Sequence, residues 1–162
     1  MTGAITPIAA IEMLPLAVAM RQWLWLYPIV EITHIVGFVT LVGSVAMFDL
    51  RVLGLTRSIA VTALARHTLP WTLGALLLIV PTGLMMFTAH AADFVSNRAF
   101  VTKMLVLMLA GCNGIWFHIG PYQSVAQWDT GVRAPAAARI SAVLSLLLWI
   151  GVISCGRLLA YV

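Results

Sequence analysis

Four long apolar segments dominate the sequence, and polar or turn-forming residues separate them. The segments cover about residues 28–47, 69–89, 99–118 and 137–160. Each is long enough for a helix that crosses the hydrocarbon core of a bilayer, which takes about 20 residues. The pattern therefore predicts an all-α fold, a four-transmembrane-helix bundle, and assigns residues 1–162 to a single membrane domain.

A fifth apolar stretch, over about residues 5–26, is interrupted by Pro7, Glu12, Pro15 and Arg21. Prolines and charges at these positions disfavour a spanning helix, so we expect an N-terminal interfacial helix that lies on the membrane surface. The stretch also lacks the basic start of a signal peptide, because its first basic residue is Arg21. We therefore expect this segment to be retained.

The composition agrees with a membrane environment. The 162 residues are 62% hydrophobic and 9% charged, whereas soluble domains carry about 25% charged residues. The lipid bilayer, and not water, must therefore cover most of the surface. The net charge of +4 comes from basic residues that are scattered between the apolar segments. Nucleic-acid-binding proteins gather basic residues on one face, so nucleic acid is excluded as a partner.

The distribution of basic residues predicts the orientation, because cytoplasmic loops of membrane proteins are enriched in Lys and Arg. One side carries five basic residues: Arg51, Arg57, Arg66, Arg133 and Arg139. The opposite side carries four: Arg21, Arg98, Lys103 and Arg157. This bias predicts a multi-pass protein whose N- and C-termini are both non-cytoplasmic.

The four histidines fall at two depths when 1.5 Å is counted for each helical residue. His34, about 9 Å inside the first span, and His90, at the end of the second, share the non-cytoplasmic level. His67, just before the second span, and His118, at the end of the third, share the cytoplasmic level. Two imidazoles at each of two levels would suit a membrane cytochrome with two haems, with one imidazole on each face of each iron.

These histidines also have simpler explanations. His67 and His90 lie at loop boundaries, where a histidine usually contacts water and headgroups. His34 is different, because an ionisable residue inside a span is costly and is a functional candidate by default. Its alternative role is a hydrogen bond to a neighbouring helix. His118 is intermediate, since it closes a helix directly after an aromatic pair.

Glycines accompany the histidines on the predicted helices. Gly37 lies one turn after His34, and Gly111 and Gly114 share the helix face of His118. Glycines at these positions would allow the close approach either of a flat ring or of a neighbouring helix, as in the packing of small residues in membrane bundles.

Three charged residues lie near the level of His34. Lys103 and Arg157 could hold the anionic propionates of a haem at the membrane edge, and Glu31 could orient His34 from one turn away. The alternative is that these side chains extend to the lipid headgroups.

Several motifs resemble an uncharacterised family of small four-helix bacterial inner-membrane proteins, and the likeness covers nearly the whole chain. The motifs are Glu31-x-x-His34-x-x-Gly37, Asp49-Leu50-Arg51, Thr82-Gly83, Phe117-His118 and Gly156-Arg157. More distantly, the chain is similar to the copper-resistance D type and the HemJ type of haem-binding membrane protein. Those proteins share an early His, a Thr-Gly in the next helix and a Lys that opens a later one. The HemJ resemblance implies haem b near His34 and Lys103.

Copper is the alternative cofactor. Met85, Met86, Met104 and Met108 are all expected in the non-cytoplasmic half, near His34. Thioether and imidazole ligands suit Cu(I). The simpler explanation is that these are ordinary core or lipid-facing methionines.

Together these patterns predict an integral membrane b-type cytochrome with one or two haem b groups, which transfers electrons between quinol and a membrane or periplasmic partner. His34 and His118 are the expected ligands of different haems, with His90 or Lys103 and His67 as the second ligands. A single haem is expected at His34. Such a protein would be an oxidoreductase or its haem-bearing membrane subunit, and a homo-oligomer is compatible with it. The alternatives are a copper-handling transporter and a cofactor-free structural membrane subunit.

Overall fold

The computed structural model describes residues 7–161, and this part of the chain forms α-helices and one 3-10 helix without any strand. The α-helices are α1 Pro7–Glu12, α2 Pro15–Gln22, α3 Leu26–Leu53, α4 Val61–Ala89, α5 Ala91–Ser96, α6 Arg98–Ile119 and α7 Ala136–Leu158. The 3-10 helix is Pro121–Gln127, in the connection between α6 and α7.

The prediction of four spanning helices is confirmed. Helices α3, α4, α6 and α7 are each long and apolar enough to cross a membrane. Helix α3 continues past the predicted end at residue 47, and α4 begins at Val61, well before residue 69. The early start of α4 is stabilised from the α6–α7 connection, where the Asp129 carboxylate accepts hydrogen bonds from the Thr62 amide at 2.8 Å and its hydroxyl at 3.0 Å. These bonds satisfy donors that a helix start otherwise leaves unpaired.

The N-terminal segment forms two short helices and not the single expected helix over residues 5–26. The chain breaks at Met13 and Leu14, because the proline at residue 15 disfavours a helical conformation in the residue before it. Residues 5 and 6 of the prediction lie outside the described residues. Arg21 Nη1 donates to the Ala89 carbonyl at 2.8 Å, and Glu12 accepts from the Ala92 amide at 2.8 Å. The segment is thereby held against the end of the bundle.

The spanning helices form an open arrangement. Helix α3 packs along α4, α6 packs along α7, and the α3–α7 contact joins the two pairs, whereas α4 and α6 are not closely packed on each other. We call the gap between them the α4–α6 opening. The start of α3 and the end of α4 define the His34 end of the bundle, and the end of α3 and the start of α4 define the Arg51 end.

Arg51 joins the connections at the Arg51 end. Its side chain is 2% exposed. It donates to the carbonyls of Ile59 at 2.5 Å, Asp129 at 2.9 Å and Arg57 at 3.2 Å. Gly54 ends α3 with a φ of +112°, a conformation that glycine adopts without strain. One guanidinium therefore links the α3–α4 loop to the α6–α7 connection.

Candidate functional site

A cavity of about 1300 Å³ runs through the bundle between the two pairs of helices. Ordinary ligand pockets have volumes of roughly 300–1,000 Å³, so this cavity can hold a large ligand or two smaller ones. Its wall is mainly apolar. The polar and charged residues in the wall include His34, Asp49, Arg66, Thr68, Lys103, Asn113, His118, Ser141 and Ser145.

The cavity opens sideways through the α4–α6 opening. Leu69 and Leu73 of α4 line the cavity, yet 51% and 53% of their surfaces are exposed. On the facing side, Ile115 and Ile119 of α6 also line it and are 64% and 71% exposed. Apolar side chains this exposed on spanning helices face lipid, so the cavity is accessible to apolar molecules from the bilayer.

Five of the predicted site residues lie in the cavity wall. They are His34, Lys103, Gly111, Gly114 and His118. The other five, Glu31, Gly37, His67, His90 and Arg157, are not among the lining residues. The fold therefore brings two of the four histidines to one cavity, and one of the two predicted cations.

The predicted residues outside the cavity wall have other surroundings. His90 caps the end of α4, with its ring 3.7 Å from the Asp93 carboxylate and edge-on to Tyr27. His67 is exposed on α4, and Glu31 is exposed on α3. Arg157 lies over the ring of Tyr161, 4.8 Å from its centroid, and also bonds its hydroxyl.

His34 is half-buried on α3 and is oriented by α4. Its Nδ1 lies 2.9 Å from the Thr82 hydroxyl oxygen, and that hydroxyl lies 2.5 Å from the Leu78 carbonyl, to which it donates its hydrogen. We assign the ring proton to Nδ1, because the single hydrogen of the hydroxyl is directed to Leu78 and its oxygen then accepts from His34. Nε2 keeps its lone pair, which is the state that a metal-ligating histidine requires.

Gly83 provides the space for the His34 ring. A Cβ atom at Gly83 would lie 3.1 Å from His34 Cε1 and 3.6 Å from Nδ1. A side chain here would push the ring away from Thr82. The adjacent Thr82 and Gly83 thus position the imidazole together. Thr82 forms a hydrogen bond with it, and Gly83 leaves space for it.

His118 has the same tautomer at the other end of the cavity. Its Nδ1 lies 2.8 Å from the Gly114 carbonyl, one turn earlier on α6. A carbonyl can only accept, so Nδ1 carries a proton, and in the neutral ring Nε2 then keeps its lone pair. The ring packs near Phe117 and Tyr122, at centroid distances of 5.5 Å each.

The glycines of the cavity face open space. A Cβ atom at Gly111 or Gly114 would have no neighbour within 4 Å, so these two glycines are not helix-packing contacts. Gly37 is the opposite case, because a Cβ there would lie 3.0 Å from Ile79 and 3.2 Å from Leu78. Gly37 therefore lies at the close contact between α3 and α4.

Lys103 brings a positive charge into the His34 end of the cavity. Its Nζ lies over Gly156 of α7, 3.8 Å from where a Cβ would be. Within residues 7–161, no hydrogen bond or ion pair joins its ammonium group to another side chain. A cation in this position can attract an anionic group of a ligand.

Three phenyl rings bridge the α4–α6 opening at the His34 end. Phe87 of α4, Phe94 of α5 and Phe100 of α6 stack on one another, with ring centroids 5.0–6.4 Å apart. All three rings line the cavity. The stack thus contributes flat aromatic surfaces to the wall at this end of the cavity.

The structure adds polar residues that we did not identify as site residues from the sequence. Asp49 of α3 is 7% exposed and hydrogen-bonds Ser145 of α7. Asn113 of α6 and Ser141 of α7 bond each other at 3.0 and 3.1 Å. Asp49 belongs to the Asp49-Leu50-Arg51 motif, but it was not predicted as a site residue because the predicted span ended at residue 47. The available signal was an acidic residue only two positions beyond a span.

No group of three or more His, Cys, Asp or Glu residues that could hold a metal ion occurs within the described part of the chain. Protein side chains of these types do not therefore form a complete metal site. A haem needs only one or two protein ligands, because its macrocycle already surrounds the iron. The single imidazole at either end of the cavity is compatible with that requirement.

Comparison with known proteins gives one match. A model for a family of unknown function, DUF6644, matches residues 26–162, which include all four spanning helices. No curated protein and no solved structure matches the chain.

Proposed function

Because the chain belongs to the DUF6644 family, whose function is unknown, we propose its activity from its own residues: it is a membrane b-type cytochrome that transfers electrons from quinol to a membrane or periplasmic partner. The expected membership of an uncharacterised family is confirmed at that level. Nothing links DUF6644 to the copper-resistance D or HemJ-type proteins, so the distant similarity to them is only part of the proposal.

The observation that carries this proposal is the state of His34. Its proton is held on Nδ1 by Thr82, which leaves the Nε2 lone pair available. A ligating histidine characteristically donates its other nitrogen to such a partner, which fixes the ring orientation and the tautomer. The bond to Thr82 is also the hydrogen bond to a neighbouring helix that was the alternative role of His34; its position in the wall of a large cavity favours the additional role of a ligand.

The residues at the His34 end fit a haem b. His34 would bind the iron, and the apolar wall with its stacked phenyl rings would contact the flat macrocycle. Lys103 would pair with a propionate or provide the second ligand of the iron. The sequence analysis predicted His90 or Lys103 for this second ligand. When bound, the haem supplies a one-electron redox centre whose potential the protein tunes.

His118 would hold the second haem in the two-haem version of the proposal, whereas His67, the other ligand predicted from the sequence, does not line the cavity. His118 offers the same free Nε2 at the Arg51 end. We place the protein in the bacterial inner membrane, with the Arg51 end in the cytoplasm, on the distribution of basic residues.

Difference spectroscopy tests the proposal directly. The protein, purified in detergent without added haem, is expected to show a Soret band and, after dithionite, the α band of a reduced b-type haem. Haem extraction into pyridine then gives the number of haems per chain. A preparation without either band, from cells supplied with a haem precursor, would rule out the cytochrome.

Copper handling is the second candidate, because the thioethers of Met86 and Met104 line the same cavity as His34. Met85 and Met86 both pack against the cluster around Met20, but Met85 does not line the cavity, and Met108 is 63% exposed. Metal analysis of the purified protein separates the candidates. Copper without haem would favour the transporter, and neither metal would favour a cofactor-free structural subunit.

Thr82→Val is expected to weaken haem binding about 10- to 100-fold, which is typical for loss of a partner that orients a metal ligand. Valine keeps the shape of threonine but cannot accept the hydrogen bond from His34 Nδ1. Haem titration of the apoprotein, followed at the Soret band, measures the change in Kd. Thr82→Ser keeps the hydroxyl and should bind haem as the wild type does. Equal affinities of the valine and serine variants would show that Thr82 does not position His34.

A further inference from the structure

One oxygen of a buried carboxyl group lacks a partner in the cavity. Asp49 is 93% buried and lines the cavity towards the Arg51 end. Ser145 hydrogen-bonds the carboxyl group, but Oδ2 has no hydrogen-bond partner among the described residues. An unpaired polar atom in a buried position is costly, and more so when it is charged. A ligand in the cavity could supply the missing hydrogen bond.

Three other polar side chains in this half of the cavity already have hydrogen-bond partners. Asn113 and Ser141 bond each other, and the Thr68 hydroxyl donates to the Leu64 carbonyl at 3.0 Å. Within the described residues, Asp49 Oδ2 accepts no hydrogen bond from any of them, nor from Arg66 and Tyr122, which also line the cavity. His118 Nε2 is a second acceptor in this half, because the proton of the ring is held on Nδ1. The wall thus presents one buried acceptor without a donor, Asp49 Oδ2, and a second, exposed acceptor, Nε2 of the neutral His118 ring.

The chemistry of these acceptors restricts the ligand. A hydroxyl group can donate to an ionised carboxylate and accept from a protonated one, so it satisfies Asp49 in either state. The remainder of the ligand must be apolar, because the wall is mainly apolar. It must also be lipid-soluble, since Leu69 and Ile115 line a cavity that opens towards the bilayer. An aromatic ring with two hydroxyls and an apolar tail, a quinol, meets these conditions.

We propose that the half of the cavity at the Arg51 end binds the ring of a membrane quinol, with its hydroxyls on Asp49 Oδ2 and His118 Nε2. The tail leaves through the α4–α6 opening into the lipid. This inference rests on the proposed function in that it places the quinol site in the same cavity as the haem. It assigns His34 to the haem and His118 to the quinol, which is the one-haem version of the proposal.

Direct binding of decylubiquinol tests the site without relying on electron transfer. The protein in lipid nanodiscs is titrated calorimetrically under argon with the quinol kept reduced. Asp49→Leu is expected to raise the Kd at least about tenfold, the effect of losing a hydrogen bond to a charged group. Asp49→Asn keeps a weaker, neutral acceptor, so its Kd should rise less. Asp93→Asn, the same change at an exposed carboxylate, should leave the Kd unchanged.

The outcomes distinguish this proposal from the haem proposal. Wild-type protein that binds haem but no decylubiquinol would overturn the quinol site alone. Binding that depends on Asp49 in a protein without a Soret band would support the quinol site and remove the haem. Equal Kd values for the wild type and Asp49→Leu would overturn the role of Asp49. If the leucine variant does not fold, the nearly isosteric Asp49→Asn is compared with the wild type in its place. Loss of a haem in His118→Ala would assign this half of the cavity to haem and overturn the proposal.

Discussion

His34→Gly is expected to lose the haem at the His34 end completely, so that a protein with one haem per chain shows no Soret band. Glycine removes the Nε2 atom that we assign to the iron, and within the described cavity wall the only other imidazole is that of His118, at the opposite end. The measurement is the ratio of haem to protein after extraction into pyridine. Because the substitution leaves a space beside Gly83, imidazole added to the purified variant should restore haem binding.

His67→Ala and His90→Ala are matched controls for this experiment. Both remove an imidazole, but neither residue lines the cavity, so both variants should keep the wild-type haem content. Haem loss in His90→Ala would instead support the bis-histidine pairing expected from the sequence. Full haem content in His34→Gly would overturn the assignment of His34.

Arg51→Ala is expected to lower the free energy of unfolding by about 3 kcal/mol or more, because it removes three hydrogen bonds donated by a buried guanidinium. The acceptors are the carbonyls of Ile59, Asp129 and Arg57. Chemical denaturation in detergent, followed by tryptophan fluorescence, measures the difference from the wild type.

Arg57→Ala is the control for the Arg51 prediction. The Arg57 side chain is exposed, and only its backbone carbonyl, which alanine retains, accepts from Arg51. Its free energy of unfolding should change by less than about 0.5 kcal/mol. Similar losses in the two variants would mean that the guanidinium of Arg51 does not hold the connections together.

The helices could be predicted from the sequence because hydropathy and length are local properties. A segment of about 20 apolar residues spans a bilayer whatever its neighbours are. The ends were less predictable, since Asp129, far away in the chain, stabilises the start of α4 at Thr62. The proline at residue 15 divides the N-terminal segment, although the apolar pattern continues across it.

His34 and His118 were identifiable as candidates from their depth, since the rise of a helix follows from counting residues. The tertiary structure decides which helix faces meet, and therefore which histidines share a cavity. His67 and His90 lie outside the cavity wall for this reason. The role of each glycine likewise could not be predicted from the sequence. Gly37 contacts a neighbouring helix and Gly111 faces open space, although the sequence offered both possibilities for each.

By itself, the sequence determined that this protein has four spanning helices and carries an ionisable imidazole at His34 within one of them. The tertiary structure decided that Thr82, on another helix, orients that imidazole and that Asp49 keeps an unpaired oxygen in the same cavity. The sequence alone predicts the spanning helices because the burial of a helix in lipid depends on the composition of that one segment. Hydrogen-bond partners and cavities instead arise between helices, and here the cavity exists because α4 and α6 do not pack together.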